Sequence, residues 1–345
     1  MLIGNGANKK RYPEITLLHL IGAIMILLCH FFQKAKIYML GELFITGVPL
    51  FLFVSGFLVG LKKEIDKKWL SKRAKRILVP YYLWIIPCIL ILWIENKSYV
   101  KGTQFLFLFT NIQGLNYLHW GNPTYSAVAG LGHLWFVTEI MVCSVLSLIF
   151  NKLLNIEKIT KKQWFFIFIA LILAVQPLLL LLFKIQTSYI ITFFLGCAVA
   201  KLGCRINDRV FASVTGIFLV INSIRMILMF VIDGTLLYDG YIALLSFAVT
   251  GIWIFFFIFW LSMKMPNIIN RTANNKIISY LSEISYEIYI VHMWFLNGVW
   301  QVSRWVKNAV LSDIVVTILT VIFSIILHFI SKRVVNLSKG KRNNI

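Results

Sequence analysis

Apolar residues run through this chain in long blocks, divided by shorter polar stretches. A helix rises about 1.5 Å per residue, so about 20 apolar residues cross the hydrocarbon of a bilayer. Ten blocks fit, at about 14–33, 43–61, 77–94, 133–151, 163–183, 188–203, 210–231, 239–262, 281–303 and 311–331. They predict an all-α membrane protein, a polytopic bundle of about ten transmembrane helices. The block at 188–203 is short, which calls for tilt, local thinning of the bilayer or a partly interfacial position. The first block lacks a small-residue cleavage site and is followed by further spans, so it reads as a retained helix rather than a signal. Residues 1–345 read as a single integral-membrane domain, with no separate soluble domain after the last span.

Composition agrees. The chain is 59% hydrophobic with a mean hydropathy of +0.83, well outside the range of soluble domains. A net charge of +21 would suggest a nucleic-acid protein until the charges are placed. They cluster in the short connections, which is the signal of membrane topology and not of nucleic-acid binding. With the N-terminus inside, the inner segments hold 26 Lys and Arg and the outer segments 7, with Arg225 left within a span. Both termini are therefore expected in the cytoplasm, and the chain is expected as a multi-pass protein of the cell membrane. The five cysteines, at 29, 88, 143, 197 and 204, show no metal-ligand spacing and read as small apolar residues within spans. No metal site is expected. One outer connection, Glu95 to Gly132, is long and aromatic, with Phe105, Phe107, Phe109, Tyr117, Trp120, Tyr125 and the turn Gly121-Asn122-Pro123. It reads either as an interfacial or re-entrant helix that could form a lid or acceptor surface, or as an aromatic belt at the headgroups.

Ionisable residues within hydrocarbon are costly and mark either a reacting centre or a hydrogen bond between helices. The first span carries two histidines, His19 and His30. Eleven steps of about 100° bring them to one face, about 16 Å apart. Other polar groups within spans are Glu139, Arg225, Glu283, Glu287, His292 and His328. Glu139 follows His133 by one to two turns, and Glu139 and Arg225 suggest an ion pair because each needs a partner. Glu287 and His292, five apart, do not share a face cleanly, and His328 reads as a packing or snorkelling residue. The inner loop ends in Ser71-Lys72-Arg73-Ala74-Lys75-Arg76. If helical, Arg73 and Arg76 form a fork for phosphate oxygens; the alternative is a basic cluster against anionic lipid. In the second span, Pro49 interrupts a backbone bond, and Ser55-Gly56 admits a close neighbour, either a helix or a ligand.

Five of these segments together resemble the integral-membrane acyltransferase 3 family, over the whole chain. They are His19 with His30 after ten intervening residues, the run Gly47 to Phe57, Arg73 and Arg76 ahead of Pro80-Tyr81, Gly132-His133-Leu134-Trp135-Phe136, and Ser285 to His292. The family usually carries Arg or Lys where this chain has His19. Glu14, five residues earlier, matches the polysaccharide-locus branch. The resemblance implies an O-acyltransferase, most often an O-acetyltransferase. The donor would be cytoplasmic acyl-CoA, most often acetyl-CoA, and the acceptor a hydroxyl of a cell-surface or exported polysaccharide or a lipid-linked glycan. Glycan-synthesis machinery would be a partner, and no cofactor would be resident. It assigns His30, with His19, to catalysis and Arg73 and Arg76 to the CoA phosphates. His133, Glu139 and Arg225 are expected to position the acceptor or the oxyanion. His30 lies about 24 Å from the inner end of its helix, a depth that a pantetheine-type arm covers in large part. Two other classes fit ten spans with buried polar groups: a transporter of a glycan or small acylated metabolite, and a non-catalytic scaffold in a synthesis complex. No repeat of the first five spans is seen in the second five, which disfavours a repeat-built transporter.

Overall fold

The computed structural model describes residues 12–95, 102–114, 128, 130–154, 160–203 and 206–340. Helices dominate, as lipid requires: backbone N–H and C=O groups in hydrocarbon must be satisfied within their own segment. The first helix, α1 (Pro13–Lys34), begins with Pro at its first turn, where the missing N–H costs nothing. The second predicted span divides into α2 (Tyr38–Ile45) and α3 (Gly47–Gly60). The bond Leu50 N–H to the Thr46 carbonyl, 3.1 Å, carries α3 across the junction. Pro49 falls within the first turn of α3, where its missing donor is tolerated.

Next come α4 (Lys67–Glu95) and α5 (Gly102–Thr110), then a 3₁₀ turn (Gly132–Leu134) that leads into α6 (Trp135–Leu154). The fifth predicted span is α7 (Lys161–Ala170), a π-helical turn at Leu171–Val175, and α8 (Gln176–Phe183). It is followed by α9 (Ser188–Lys201), α10 (Asp208–Ile232), α11 (Ala243–Lys264), α12 (Pro266–Asn274), α13 (Lys276–Glu283), α14 (Ser285–Asn297) and α15 (Ala309–Gly340). Among the described residues, seven helices are long and apolar enough to cross a membrane. The predicted segments at 163–183, 188–203 and 281–303 fall instead on shorter or broken helices. The all-α membrane class is as expected.

The helix α5 gives the long connection a helical segment. Tyr81 O–H donates to the Leu108 carbonyl at 2.5 Å and Tyr82 O–H to the Phe109 carbonyl at 2.9 Å, which hang α5 on α4. Tyr117, Trp120, Gly121-Asn122-Pro123 and Tyr125 lie outside the described residues, as do Cys204, Lys9 to Arg11, Lys97, Lys101, Lys158, Arg205, Lys341 and Arg342. The remaining cysteines, Cys29, Cys88, Cys143 and Cys197, are buried.

The core centres on α3, which is buried along most of its length and packs on α1, α9 and α11. Its tightest neighbour is α9. A methyl group built on Gly56 would overlap the Phe193 carbonyl, one on Gly60 the Cys197 carbonyl, and one on Gly196 the Phe53 carbonyl. The close neighbour that Ser55-Gly56 admits is thus a helix, through small residues spaced four apart. We expect Gly56→Leu to lower the thermal midpoint of the detergent-solubilised protein by several degrees, since overpacking costs about 1–3 kcal/mol or more. Gly216, with nothing within 4 Å, is the control, and Gly216→Leu should leave the midpoint in place. Equal midpoints for the two variants would contradict the close contact.

Candidate active site

Three histidines from three parts of the chain meet at the end of the bundle predicted to face out. His30 is near the end of α1, His133 is in the 3₁₀ turn before α6, and His292 is on α14. The rings of His30 and His292 stack with centroids 5.2 Å apart, and His133 meets His292 edge-on at 4.8 Å. Their hydrogen bonds fix the tautomers, because a carbonyl can only accept. His133 Nε2 donates to the carbonyls of Tyr289 (2.9 Å) and Ile290 (3.1 Å), and His292 Nδ1 donates to the Tyr289 carbonyl at 2.7 Å. This leaves His133 Nδ1 and His292 Nε2 as lone-pair nitrogens, both buried and without a hydrogen-bond partner. His30 Nδ1 donates to Gln33 Oε1 at 2.9 Å, so Nε2 is its basic nitrogen. Of the three rings, only that of His30 belongs to a half-buried residue; His133 and His292 are buried. The arrangement offers one accessible base backed by two fixed rings.

His19 does not join this cluster. Its ring stacks on Phe51 of α3 at 6.1 Å, against a flat stretch of α1 where a methyl on Gly22 would come within 3.0 Å of the Phe51 ring. From Phe51 a row of rings continues through Phe136 (6.4 Å) to Tyr289 (5.1 Å) and on to His133 (5.2 Å). Tyr289 O–H also donates to the His133 carbonyl. The shared helical face of His19 and His30 therefore looks onto one continuous aromatic row.

At the opposite end, Arg73 and Arg76 are both helical, as the fork requires, yet they diverge. Arg76 is exposed, while Arg73 turns into the bundle. Its Nε donates to Ser144 Oγ at 2.7 Å and a terminal nitrogen to Ser55 Oγ at 2.5 Å, with Trp69 beneath the guanidinium at 5.5 Å. Among the described residues no carboxylate pairs with Arg73. Neutral hydroxyls hold the cation in place and leave its charge for an anion. Close by, Val59, Gly60, Ile65, Ser147, Phe194, Cys197 and Lys201 line a narrow crevice.

The suggested pair of Glu139 and Arg225 does not form. Arg225 bonds to Glu42 of α2 and lies over the Phe247 ring at 4.6 Å. It is the buried residue of α10, whose other positions are partly or fully exposed. A charge cannot face hydrocarbon, so it turns inward to the nearest carboxylate. Glu42 sits just outside the predicted second span and carried no signal of burial in the sequence. Glu139 is 1% exposed and both its carboxyl oxygens are without a hydrogen-bond partner. His328 is more than a packing residue: it bonds to Glu287 at 2.8 Å, and Lys332 reaches Glu283 at 2.6 Å. Glu287 and His292 accordingly face different neighbours. The residues that sequence reasoning left without a role are His292, Tyr289, Gln33, Ser55 and Ser144. Gln33 was findable, one turn from His30; the others need the packing.

The helical bundle and its polar interior define a polytopic membrane protein. Residues 12–329 match the family model of the acyltransferase domain Acyl_transf_3, and the chain belongs to that family of membrane acyltransferases. No curated protein and no solved structure matches it.

The Arg225–Glu42 pair gives an asymmetric expectation. Glu42→Gln leaves the guanidinium, 11% exposed, without a counter-charge and should cost on the order of 1–3 kcal/mol. Arg225→Met leaves a carboxylate that is 43% exposed and reaches water, and should cost less than about 1 kcal/mol. Thermal unfolding in detergent ranks the two, and the reverse order would refute the pairing.

Proposed function

We propose that this acyltransferase is an O-acyltransferase of the polysaccharide-locus kind, moving an acetyl group from cytoplasmic acetyl-CoA to a hydroxyl of a cell-surface or exported polysaccharide, or of its lipid-linked precursor. It would sit in the cell membrane with ten crossings and both termini in the cytoplasm, and act beside glycan-synthesis machinery. The three shorter segments would complete the ten. The observation that carries the reading is the half-buried His30 ring, its Nδ1 engaged by Gln33 and its face stacked on His292, which in turn meets His133.

In this reading His30 Nε2 takes the proton of the acceptor hydroxyl as its oxygen attacks the thioester carbonyl. The carbon–oxygen bond forms, the carbon–sulfur bond breaks, and the sulfur leaves as a thiol by accepting that proton. An imidazole suits this exchange because its ordinary pKa lies near the operating pH. The route by way of an acyl group carried briefly on His30 is chemically equivalent in its balance. Arg73 and Arg76 would hold the CoA phosphates, and the serine-held, unpaired guanidinium of Arg73 supports this over a lipid contact alone. Counting four residues along α3 from Ser55 to Phe51, and eight along α1 from Gly22 to His30, puts His30 about 18 Å beyond Arg73, a distance that an extended pantetheine arm largely covers. His19 would act as a positioning residue on the donor's path, and Glu139, deeper toward Arg73 than Phe136, would face that path too. His133 would position His30, and Arg225 with Glu42 would contribute to the acceptor side.

Two measurements test the reading. His30→Ala should abolish O-acetyl groups in the purified polymer, read by NMR, while the protein stays in the membrane; retained acetylation would refute it. Arg73→Ala with Arg76→Ala should weaken acetyl-CoA binding at least about tenfold, each lost charge-assisted contact being worth about 1.5–3 kcal/mol. An unchanged affinity would remove the phosphate role.

A further inference from the structure

The aromatic row divides the candidate residues into two groups. On one side stand His30, His133 and His292; on the other stand His19, Glu139, Ser55 and Arg73. The division follows from helix register. On α3, Phe51 precedes Ser55 by one turn, and Ser55 holds Arg73. On α6, Phe136 precedes Glu139 by three residues and Ser144 by eight, and Ser144 also holds Arg73. On α14, Tyr289 lies one turn short of His292. On α1, Gly22, which meets the Phe51 ring, falls between His19 and His30. The rings of Phe51, Phe136 and Tyr289 thus cross the bundle at one level, each within 6.4 Å of the next, from the α1 backbone to α14. Phe136 is 3% exposed and Tyr289 likewise, while Phe51 is only partly buried. On the Arg73 side of the row, the Glu139 carboxyl is buried with no hydrogen-bond partner on either oxygen.

Resting on the acetyl-CoA reading above, we infer that Phe51 and Phe136 form a septum that keeps water on the acceptor side from the thioester on the donor side until the rings part to let the thioester reach His30. The competing reaction is plain hydrolysis: water adds to the thioester carbonyl, the carbon–sulfur bond breaks, and acetate and CoA thiol leave. An enzyme that places a thioester close to a basic imidazole must suppress this, since water outnumbers any glycan hydroxyl. Excluding water with packed rings is the means the fold offers. Phe51 and Phe136 are specificity residues in this sense: they set the choice between hydroxyl and water without touching the reacting atoms themselves.

The test uses the purified full chain in phospholipid vesicles with [14C]acetyl-CoA and no glycan, measuring [14C]acetate released. Phe136→Ala and Phe51→Ala should each raise acetate release at least about tenfold over the unaltered chain. Phe136→Leu and Phe51→Leu, which keep apolar bulk and fold more readily, should raise it by a smaller factor. Acetate release at the unaltered rate in all four variants, with unchanged thermal midpoints, overturns the septum. If only the leucine variants fold, their failure to exceed the unaltered rate overturns it equally. Binding of [14C]acetyl-CoA to the unaltered chain is measured in parallel. Its absence overturns the donor reading and the septum together, whereas binding without any rise in the variants overturns the septum alone.

Discussion

The backbone carbonyl of Tyr289 receives two ring N–H groups, from His133 and from His292, and the histidine site depends on it. A carbonyl oxygen carries two lone pairs, enough to accept from both rings. By accepting twice, this one ties the turn before α6 to α14 and sets both rings in a single tautomer. The His30 ring stacks on His292, the nearer of the two. The ring on which His30 stacks is therefore positioned by backbone geometry, and among the described residues no carboxylate bonds to any of the three rings. That differs from the arrangement in which a carboxylate orients a catalytic imidazole and stabilises its charged form.

The two arginines that turn into the bundle show how the same physics yields opposite outcomes. Arg225 has a carboxylate within reach and is neutralised by it, so it serves the cohesion of α2, α10 and α11. Arg73 has only hydroxyls and an indole ring, which place it without cancelling its charge. A guanidinium in that state attracts anions more strongly than a solvated one, because the surrounding dielectric is low. The distinction rests on what faces each arginine across the bundle.

Much of the architecture was legible in the sequence because a bilayer imposes a length on every crossing helix. Block length alone located α1, α4, α6, α10, α11 and α15. It could not show the break at Thr46, the π-helical turn at Leu171–Val175, or the division of the ninth block at Ile284, since none of these alters the hydrophobic count. Side-to-side packing was less legible still. The pairing of Arg225 with Glu42 bridges residues 183 apart in sequence, and Glu42 lies where a span was expected to begin. Glu139, the partner that sequence suggested, has no hydrogen-bond partner among the described residues. His30, His133 and His292 were each visible as intramembrane histidines, but that they share one site follows only from the meeting of α1, α6 and α14. Ser55 looked like a small packing residue, and half of that was right: its neighbour Gly56 packs, while Ser55 itself holds Arg73.

The contact between α3 and α9 carries a mechanical consequence. Three glycines bring two backbones together with no side chains between them to yield. Such a pair behaves as a single stiff beam running through the middle of the protein. It carries Phe51 and Ser55 on one face, so both ends of the proposed reaction path are referenced to the same rigid member. Any rearrangement during turnover falls to helices that meet the beam through side chains that can rotate, as α6 does where Phe136 meets Phe51; α1 is tied more closely, since a methyl group on Gly47 would overlap the Gly22 carbonyl.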